Sequence, residues 1–193
     1  MADETGKSLL SKVKLSATKA KEWFRDKVKE LKQEITKYSG TAARKRLISG
    51  DDSSGVLTNR PVIGMMYLFQ YDAKYKDILP YWDVWPLIFP FDYAKGGFYG
   101  INFHYLNPIA RGNLLQKLWS NSSSGNKIPM SYKIIKQFAA TQPCVKRYLF
   151  SHIQGKGFYQ INQNEWWTAT QLPTQRFRGA SASQVWKQSA LMY

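Results

Sequence analysis

Apolar side chains recur at steps of three and four residues along the first forty positions of the chain. Neither Gly nor Pro interrupts residues 8–39, Lys and Glu occupy the other faces, and Gly40 supplies a stop. The pattern predicts one amphipathic helix of about 45 Å at 1.5 Å per residue. It favours a coiled-coil or packing helix, and a basic arm that lies along DNA is the alternative. The apolar positions are Leu10, Val13, Ala17, Ala20, Phe24, Val28, Leu31, Ile35 and Tyr38.

A polar segment rich in Ser, Gly and Asp follows at residues 49–55. That composition is typical of a flexible connection. We therefore predict a basic amphipathic helical arm at 1–48, a linker at 49–60, and a globular domain of a β-barrel plus helices at 61–193.

The middle of the chain changes to the alternating pattern of strands. Leu87–Phe89 is a short buried run, and Gly96-Gly97 predicts a hairpin turn with Gly97 at positive φ. Asn107 followed by Pro108 predicts the N-cap and first turn of a helix. Short aromatic strands closed by a helix indicate a small SH3-like barrel. The face of the first predicted strand carries Met65, Tyr67, Phe69 and Tyr71.

The last third of the chain is predicted to be mainly helical. Short helices are expected over 132–139 and 145–152, then a strand at 158–161 and a helix after Asn162. Residues 181–192 form a basic amphipathic tail. The predicted fold class is thus α+β, with a long N-terminal amphipathic helix, a small SH3-like β-barrel and a helical basic C-terminal part.

Charge is concentrated at the two ends of the chain. The 193 residues carry a formal charge of +15, and the middle third is neutral. The excess of Lys and Arg favours a polyanionic partner such as nucleic acid. The lone Cys144 makes an intramolecular disulfide impossible and fits a virion or host cytoplasm. No signal peptide or membrane span is expected, because the longest apolar run, residues 85–91, is far too short.

Candidate catalytic residues are few and scattered. His104 and His152 lack the close spacing of a zinc site, and His104 is expected to be a satisfied core residue. Cys144 is expected to be a buried thiol rather than a nucleophile. Asp72, Asp77 and Asp83 are interpreted as turn residues and solvated charge rather than metal ligands. We expect no enzyme activity, no cofactor and no metal.

Three basic clusters are the stronger signal, because Lys and Arg contact phosphates and aromatic faces can stack on bases. Trp166 and Trp167 are adjacent and cannot both point inward on one helix face, so Trp167 is an added candidate for an exposed contact. Most other aromatic residues are assigned to the core. The predicted nucleic-acid-binding residues are Arg44, Lys45, Arg46, Lys146, Arg147, Arg176, Arg178, Lys187 and Trp167.

Several motifs between residues 60 and 190 resemble a family of T-even-type phage proteins, the DNA end protectors. The most distinctive is the run Gly-Phe-Tyr-Gly-Ile-Asn-Phe-His-Tyr-Leu at 97–106. The others are Met-Tyr-Leu-Phe-Gln-Tyr-Asp at 66–72, Leu-Pro-Tyr-Trp-Asp-Val-Trp-Pro-Leu at 79–87, Pro-Cys-Val-Lys-Arg-Tyr-Leu at 143–149, Leu-Pro-Thr-Gln-Arg-Phe at 172–177 and Val-Trp-Lys at 185–187. The N-terminal helix lies outside these motifs.

The resemblance implies a minor virion protein that caps the end of packaged linear double-stranded DNA, blocks host exonuclease and helps to complete the head. The expected protein partners are portal, neck or tail proteins, which would contact the N-terminal helix. No membrane is expected to be involved. Self-association into a homo-oligomer is a further possibility. Two alternatives remain: a structural neck, tail or baseplate component without activity at DNA ends, and a small barrel ribonuclease.

Overall fold

The computed structural model describes residues 39–49, 57–120, 135 and 139–192. They lie in one compact unit that spans residues 38–193. Four α-helices and eight strands occur within the described ranges. They are α1 (Gly40–Ser49), β1 (Leu57–Thr58), β2 (Met66–Tyr71), β3 (Trp82–Asp83), β4 (Leu87–Ala94), β5 (Gly97–Asn102), α2 (Pro108–Ser120), β6 (Val145–Leu149), β7 (Ile153–Ile161), α3 (Trp166–Gln171), β8 (Phe177–Arg178) and α4 (Ala182–Ala190).

The strands form a six-stranded sheet in the order β1-β7-β2-β4-β5-β6 and a separate pair, β3-β8. All pairings are antiparallel. The hairpin predicted at Gly96-Gly97 is confirmed, since it joins β4 to β5. The helix predicted at Asn107-Pro108 is also confirmed, because the Asn107 side chain accepts from the Ala110 backbone N–H at 2.9 Å.

The predicted fold class is wrong in its architecture. The strands described here make an open six-stranded sheet with β1 and β6 on the outside, so they do not close into an SH3-like barrel. The C-terminal part is not simply helical, because it contributes β6, β7 and β8. The correct description of these residues is an α+β fold with an antiparallel sheet and four short helices. The long helix predicted for residues 8–39 lies, apart from Ser39, outside the described residues.

Residues 145–149 were predicted to be helical and instead form β6, which pairs along β5 from Val145 to Leu149. A local sequence of mixed apolar and basic residues suits either state, and pairing with a remote strand decides between them. Gly40 was predicted to end a helix and instead begins α1. The division into arm, linker and globular domain stays a prediction, although α1 buries Ala43 and Leu47 in this unit and Leu57–Thr58 pair with β7.

Aromatic rings fill the core on one face of the sheet. Phe69 lies at its centre, with T-shaped contacts to Phe158 at 4.9 Å and Tyr148 at 5.3 Å between ring centroids. Edge-to-face pairs of this kind stabilise beyond their buried area by about 0.5–1.5 kcal/mol each. This packing fixes β2, β5, β6 and β7 against one another and so places the side chains at the end of β6. The cluster consists of Tyr67, Phe69, Tyr71, Ala73, Ile88, Phe98, Tyr148 and Phe158.

Glycines at 96 and 97 serve different purposes, and the prediction of positive φ at Gly97 is wrong. Gly96 has the left-handed backbone, at φ 71°. Gly97 is required by close approach instead, because a Cβ there would lie 1.9 Å from the Tyr148 carbonyl oxygen of β6.

We expect Gly97→Ala to destabilise the fold by about 3 kcal/mol or more, at or beyond the upper end for overpacking. A Cβ at position 96 would have no neighbour within 4 Å. Gly96→Ala should therefore lower the free energy of unfolding only by the cost of holding alanine in a left-handed backbone, about 1–2 kcal/mol. Urea unfolding of the two variants tests this order. A larger loss for Gly96→Ala would contradict the close approach of β5 to β6.

Candidate nucleic-acid interface

The carboxylate of Asp83 is buried in β3 and accepts four hydrogen bonds. Its Oδ1 accepts from the backbone N–H of Trp85 at 3.0 Å and of Arg176 at 3.1 Å. Its Oδ2 accepts from Asn102 Nδ2 at 3.2 Å and from His104 Nδ1 at 2.6 Å. Burial acts to raise the pKa of Asp83, but His104 and the two backbone donors outweigh it and hold the pKa below 3.8. Asp83 is therefore ionised, and the prediction that it is solvated charge is wrong.

The His104 ring connects Asp83 to Thr174 through its two nitrogen atoms. Its Nε2 lies 2.7 Å from Thr174 Oγ1, and both residues are 0% exposed. Burial is the main cause that lowers the pKa of His104 below 6.5. At neutral pH the ring is thus neutral, so Nδ1–H donates to Asp83 and Nε2 accepts from the Thr174 hydroxyl. The order Thr–His–Asp is that of hydrolase triads, but the hydroxyl faces the interior and the chain of bonds is a structural brace.

The same brace brings together one residue from each of two predicted basic clusters. The Arg44 guanidinium on α1 donates to the Thr174 carbonyl oxygen at 3.0 Å and lies 5.6 Å from the centre of the Trp85 ring. Burial lowers the pKa of Arg44, and the positive charge of Arg176 lowers it further. Arg44 and Arg176 are therefore neighbours, although 132 positions separate them in the sequence.

A pocket of about 440 Å³ opens beside Asp83, between the segment 73–82 and strand β6. The ammonium of Lys146 lies 4.1 Å above the centre of the Tyr105 ring, and burial lowers the pKa of this lysine. We call this the aromatic pocket. Its lining is formed by Tyr71, Ala73, Lys74, Tyr75, Leu79, Pro80, Tyr81, Trp82, Asp83, Tyr105, Lys146, Arg147, Tyr148 and Leu149.

The second and third basic clusters border this pocket. Lys146 and Arg147 line it directly, and Arg147 is held by a bond from its guanidinium to the Lys95 carbonyl oxygen at 3.0 Å. Arg178 is the register partner of Trp82, a lining residue, across β3 and β8. Strand β8 therefore lies next to the strand that forms part of the pocket wall, although Arg176 and Arg178 are not lining residues themselves.

The outer rim of the pocket is apolar and exposed. Tyr75 is 57% exposed, Leu79 41% and the adjacent Ile78 80%. Lys74 Nζ lies 5.1 Å from the centre of the Tyr75 ring, so a cation accompanies the aromatic face. An exposed apolar lip beside several cations is typical of a binding surface.

The remaining predicted residues do not join this surface by any contact described here. Arg46 forms an ion pair with Glu165 at 3.0 Å, and Lys45 and Lys187 are exposed on α1 and α4. Trp167 is half-buried, and its ring lies directly against Gly112 of α2. The contact is so close that a Cβ added to Gly112 would be 2.4 Å from the ring. It packs on α2 rather than standing out as a stacking face.

Sequence reasoning missed the aromatic half of the site. Tyr75, Trp82 and Tyr105 were left to the core or unassigned, yet all three line the pocket. Two signals were present: a tyrosine between two lysines at 74–76, and the charged Asp83 inside the aromatic run 81–85. Cys144 was expected to be a buried thiol, and it is buried, which raises its pKa to about 12.

Among the described residues, no group of three His, Cys, Asp or Glu side chains is placed to hold a metal ion. None of the helices described here has the length and apolar character needed to cross a bilayer.

Comparison with known proteins gives one match. The family model described as "Phage T4 terminal DNA protecting protein" matches residues 7–189. No curated protein and no solved structure matches the chain.

The brace predicts how stability depends on pH. Since the pKa of His104 is lowered on folding, the unfolded chain binds a proton at higher pH than the folded chain does. Stability should therefore fall as the pH drops below about 6.5, by at most about 1.4 kcal/mol per pH unit for this one proton. The contribution of Asp83 is lost only at lower pH, below 3.8.

His104→Gln should flatten this loss between pH 6.5 and 5 in urea unfolding, whereas His152→Gln should keep it. The comparison uses the slope with pH, because His104→Gln also weakens the brace itself. An NMR titration of the wild-type rings gives a second measurement. Ordinary protonation of His104 near 6.5 would contradict the assignment.

Proposed function

Because the chain belongs to the family of the phage T4 terminal DNA protecting protein, we propose that it occupies the end of linear phage DNA and shields it sterically from exonuclease. The match confirms the resemblance drawn from the sequence motifs. It also begins at residue 7, so the family extends over the N-terminal segment that the motifs did not cover.

The observation that carries the proposal is the convergence of cations around the aromatic pocket. Lys74, Lys146 and Arg147 come from two separate segments and line one pocket, and Arg178 is the register partner of Trp82, another lining residue. DNA backbones present regularly spaced phosphates, and cations that neutralise them release condensed counterions. A surface built in this way binds a phosphate backbone, and the buried Arg44, with Arg176 near it, adds positive charge close to Asp83.

Protection of this kind needs no bond cleavage. A bound protein excludes an exonuclease from the terminal phosphodiester by occupying the space around it. The deep polar groups, Asp83, His104 and Thr174, are used to hold the strands together and face the interior. We propose that the protein is not an enzyme. The alternative of a small barrel ribonuclease assumed an SH3-like barrel, and the described strands form an open sheet instead.

The setting proposed for this activity is the virion, at the end of packaged DNA, and the host cytoplasm after injection. The basic N-terminal segment would contact portal, neck or tail proteins, and completion of the head would follow from that contact. Both statements stay proposals. Its length and charge, 13 basic against 6 acidic residues in 1–46, leave DNA as a second partner for the same segment.

Binding to linear DNA should weaken steeply with salt. If about five to eight phosphates are contacted, the log–log slope should lie near −5 to −7. The double variant Lys146→Gln, Arg147→Gln should lower the affinity and reduce the magnitude of the slope by about 2. A matched pair outside the pocket, Lys117→Gln with Lys156→Gln, should change the slope less. Equal slopes for the wild type and the pocket variant would remove these two residues from the interface.

The protein should protect a labelled DNA end against an added exonuclease. Protection should be lost in the Lys146→Gln, Arg147→Gln variant and kept in the Lys117→Gln, Lys156→Gln control. Without exonuclease, labelled DNA and RNA should stay intact with Mg²⁺, Mn²⁺ or a chelator. Cleavage that disappears in Asp72→Ala or His104→Ala would overturn the assignment as a protector without hydrolytic activity.

A further inference from the structure

We propose that the aromatic pocket receives one unpaired nucleotide from the terminus of the DNA, with its base against the tyrosine rings that line the pocket and its phosphate at Lys146 and Arg147. The proposal rests on the proposed function and adds to it the chemical group that is recognised. It explains how a surface made of phosphate contacts can distinguish an end from the middle of a duplex.

The pocket has the size and lining that a single nucleotide requires. Its volume of about 440 Å³ lies within the range of roughly 300–1,000 Å³ that small-molecule sites occupy. Aromatic rings supply much of the lining. The Tyr81 and Tyr105 rings contact each other, with 6.0 Å between centroids and an interplanar angle of 39°, so a base would stack beside this pair rather than between its rings. Every base has flat π-faces that stack on such rings regardless of sequence.

Charge at the pocket is distributed as a nucleotide needs it. Lys146 is already partly desolvated against Tyr105, and its ammonium makes no ion pair with a carboxylate in the described part of the chain. Arg147 is likewise held by a backbone carbonyl rather than by an acid. The one carboxylate in the lining, Asp83, is already engaged by four other donors. Two cations without an acidic partner beside an aromatic cavity favour an anion that carries a ring.

Selectivity for an end follows from the cost of freeing a base. An interior base is stacked on both sides and paired, whereas the terminal pair stacks on one side only. Enzymes that take a base out of a duplex expend a few kcal/mol, and less where pairing is already weakened. Phosphate contacts alone would bind anywhere along the duplex. The exposed rim of Tyr75 and Ile78 would cover the base pair left behind.

The experiment compares short duplexes that differ only at the end. In a duplex with a terminal mismatch, freeing the end base costs less than at a matched blunt end, by about one base-pair step. The protein should therefore bind the mismatched duplex about tenfold more tightly. A covalent cross-link between the two terminal bases should weaken binding. The same mismatch placed in the interior of a duplex closed by hairpins at both ends should give no gain.

Variants locate the effect in the pocket. Tyr75→Ala removes an exposed ring at the rim and should abolish the preference for the terminal mismatch. Tyr93→Ala is the matched control, since Tyr93 is 43% exposed and does not line the pocket. A photoactivatable 5-iodouracil at the terminus should cross-link to the wild-type peptide that contains residues 75–82.

The outcomes separate the two proposals. Salt-dependent binding and end protection with no preference for the mismatch, or with cross-links elsewhere, would overturn the pocket and leave the protecting function standing. A gain for the interior mismatch equal to that at the terminus would also overturn it. Absence of any binding to linear DNA would instead overturn the proposed function.

Discussion

The buried carboxylate of Asp83 is the constraint on which the site depends. An ionised acid in the interior is tolerated only when its oxygens are fully hydrogen-bonded, and here the donors come from three separate segments. Satisfying this one charge fixes β3 against β8, sets the tautomer of His104 and holds Thr174 where its carbonyl oxygen meets Arg44. The same four hydrogen bonds also hold Trp82 and Asp83 in the lining of the aromatic pocket and fix the position of the Arg176 backbone.

The cations around Asp83 and the aromatic pocket are held mainly by groups that do not cancel their charge. Lys146 lies on a tyrosine ring, Arg44 on a tryptophan ring and a carbonyl oxygen, and Arg147 on a carbonyl oxygen. Carbonyl dipoles and ring faces orient a cation while leaving its field available to a ligand. Arg46, which pairs with Glu165, is held differently and lies apart. Under the proposed function, this orientation also reduces the side-chain entropy that is lost on phosphate binding.

Features encoded by a few adjacent residues could be predicted from the sequence. The β4–β5 hairpin at Gly96-Gly97 and the helix after Asn107 are confirmed, because turn and cap chemistry is local. Features decided by remote partners could not be predicted. Strand β6 exists because β5 pairs with it, and Asp83 is held in the interior by distant donors, the side chains of Asn102 and His104 and the Arg176 backbone N–H. The basic residues of the site could be predicted because they are clustered along the chain. Tyr105 and Trp82 are far from them in the sequence, and only the folded structure brings them to the same pocket.

Strand β6 lies on the outside of the sheet as described here, and this gives Lys146 and Arg147 a second consequence. A strand with unpaired backbone groups along one side is a template for another chain, and charged residues on such a strand discourage that pairing. The residues proposed to contact the DNA backbone therefore also oppose edge-to-edge aggregation of the free protein. A variant that replaced both with apolar side chains would lose this protection of the strand edge together with the proposed affinity, so one pair of cations serves both solubility and binding.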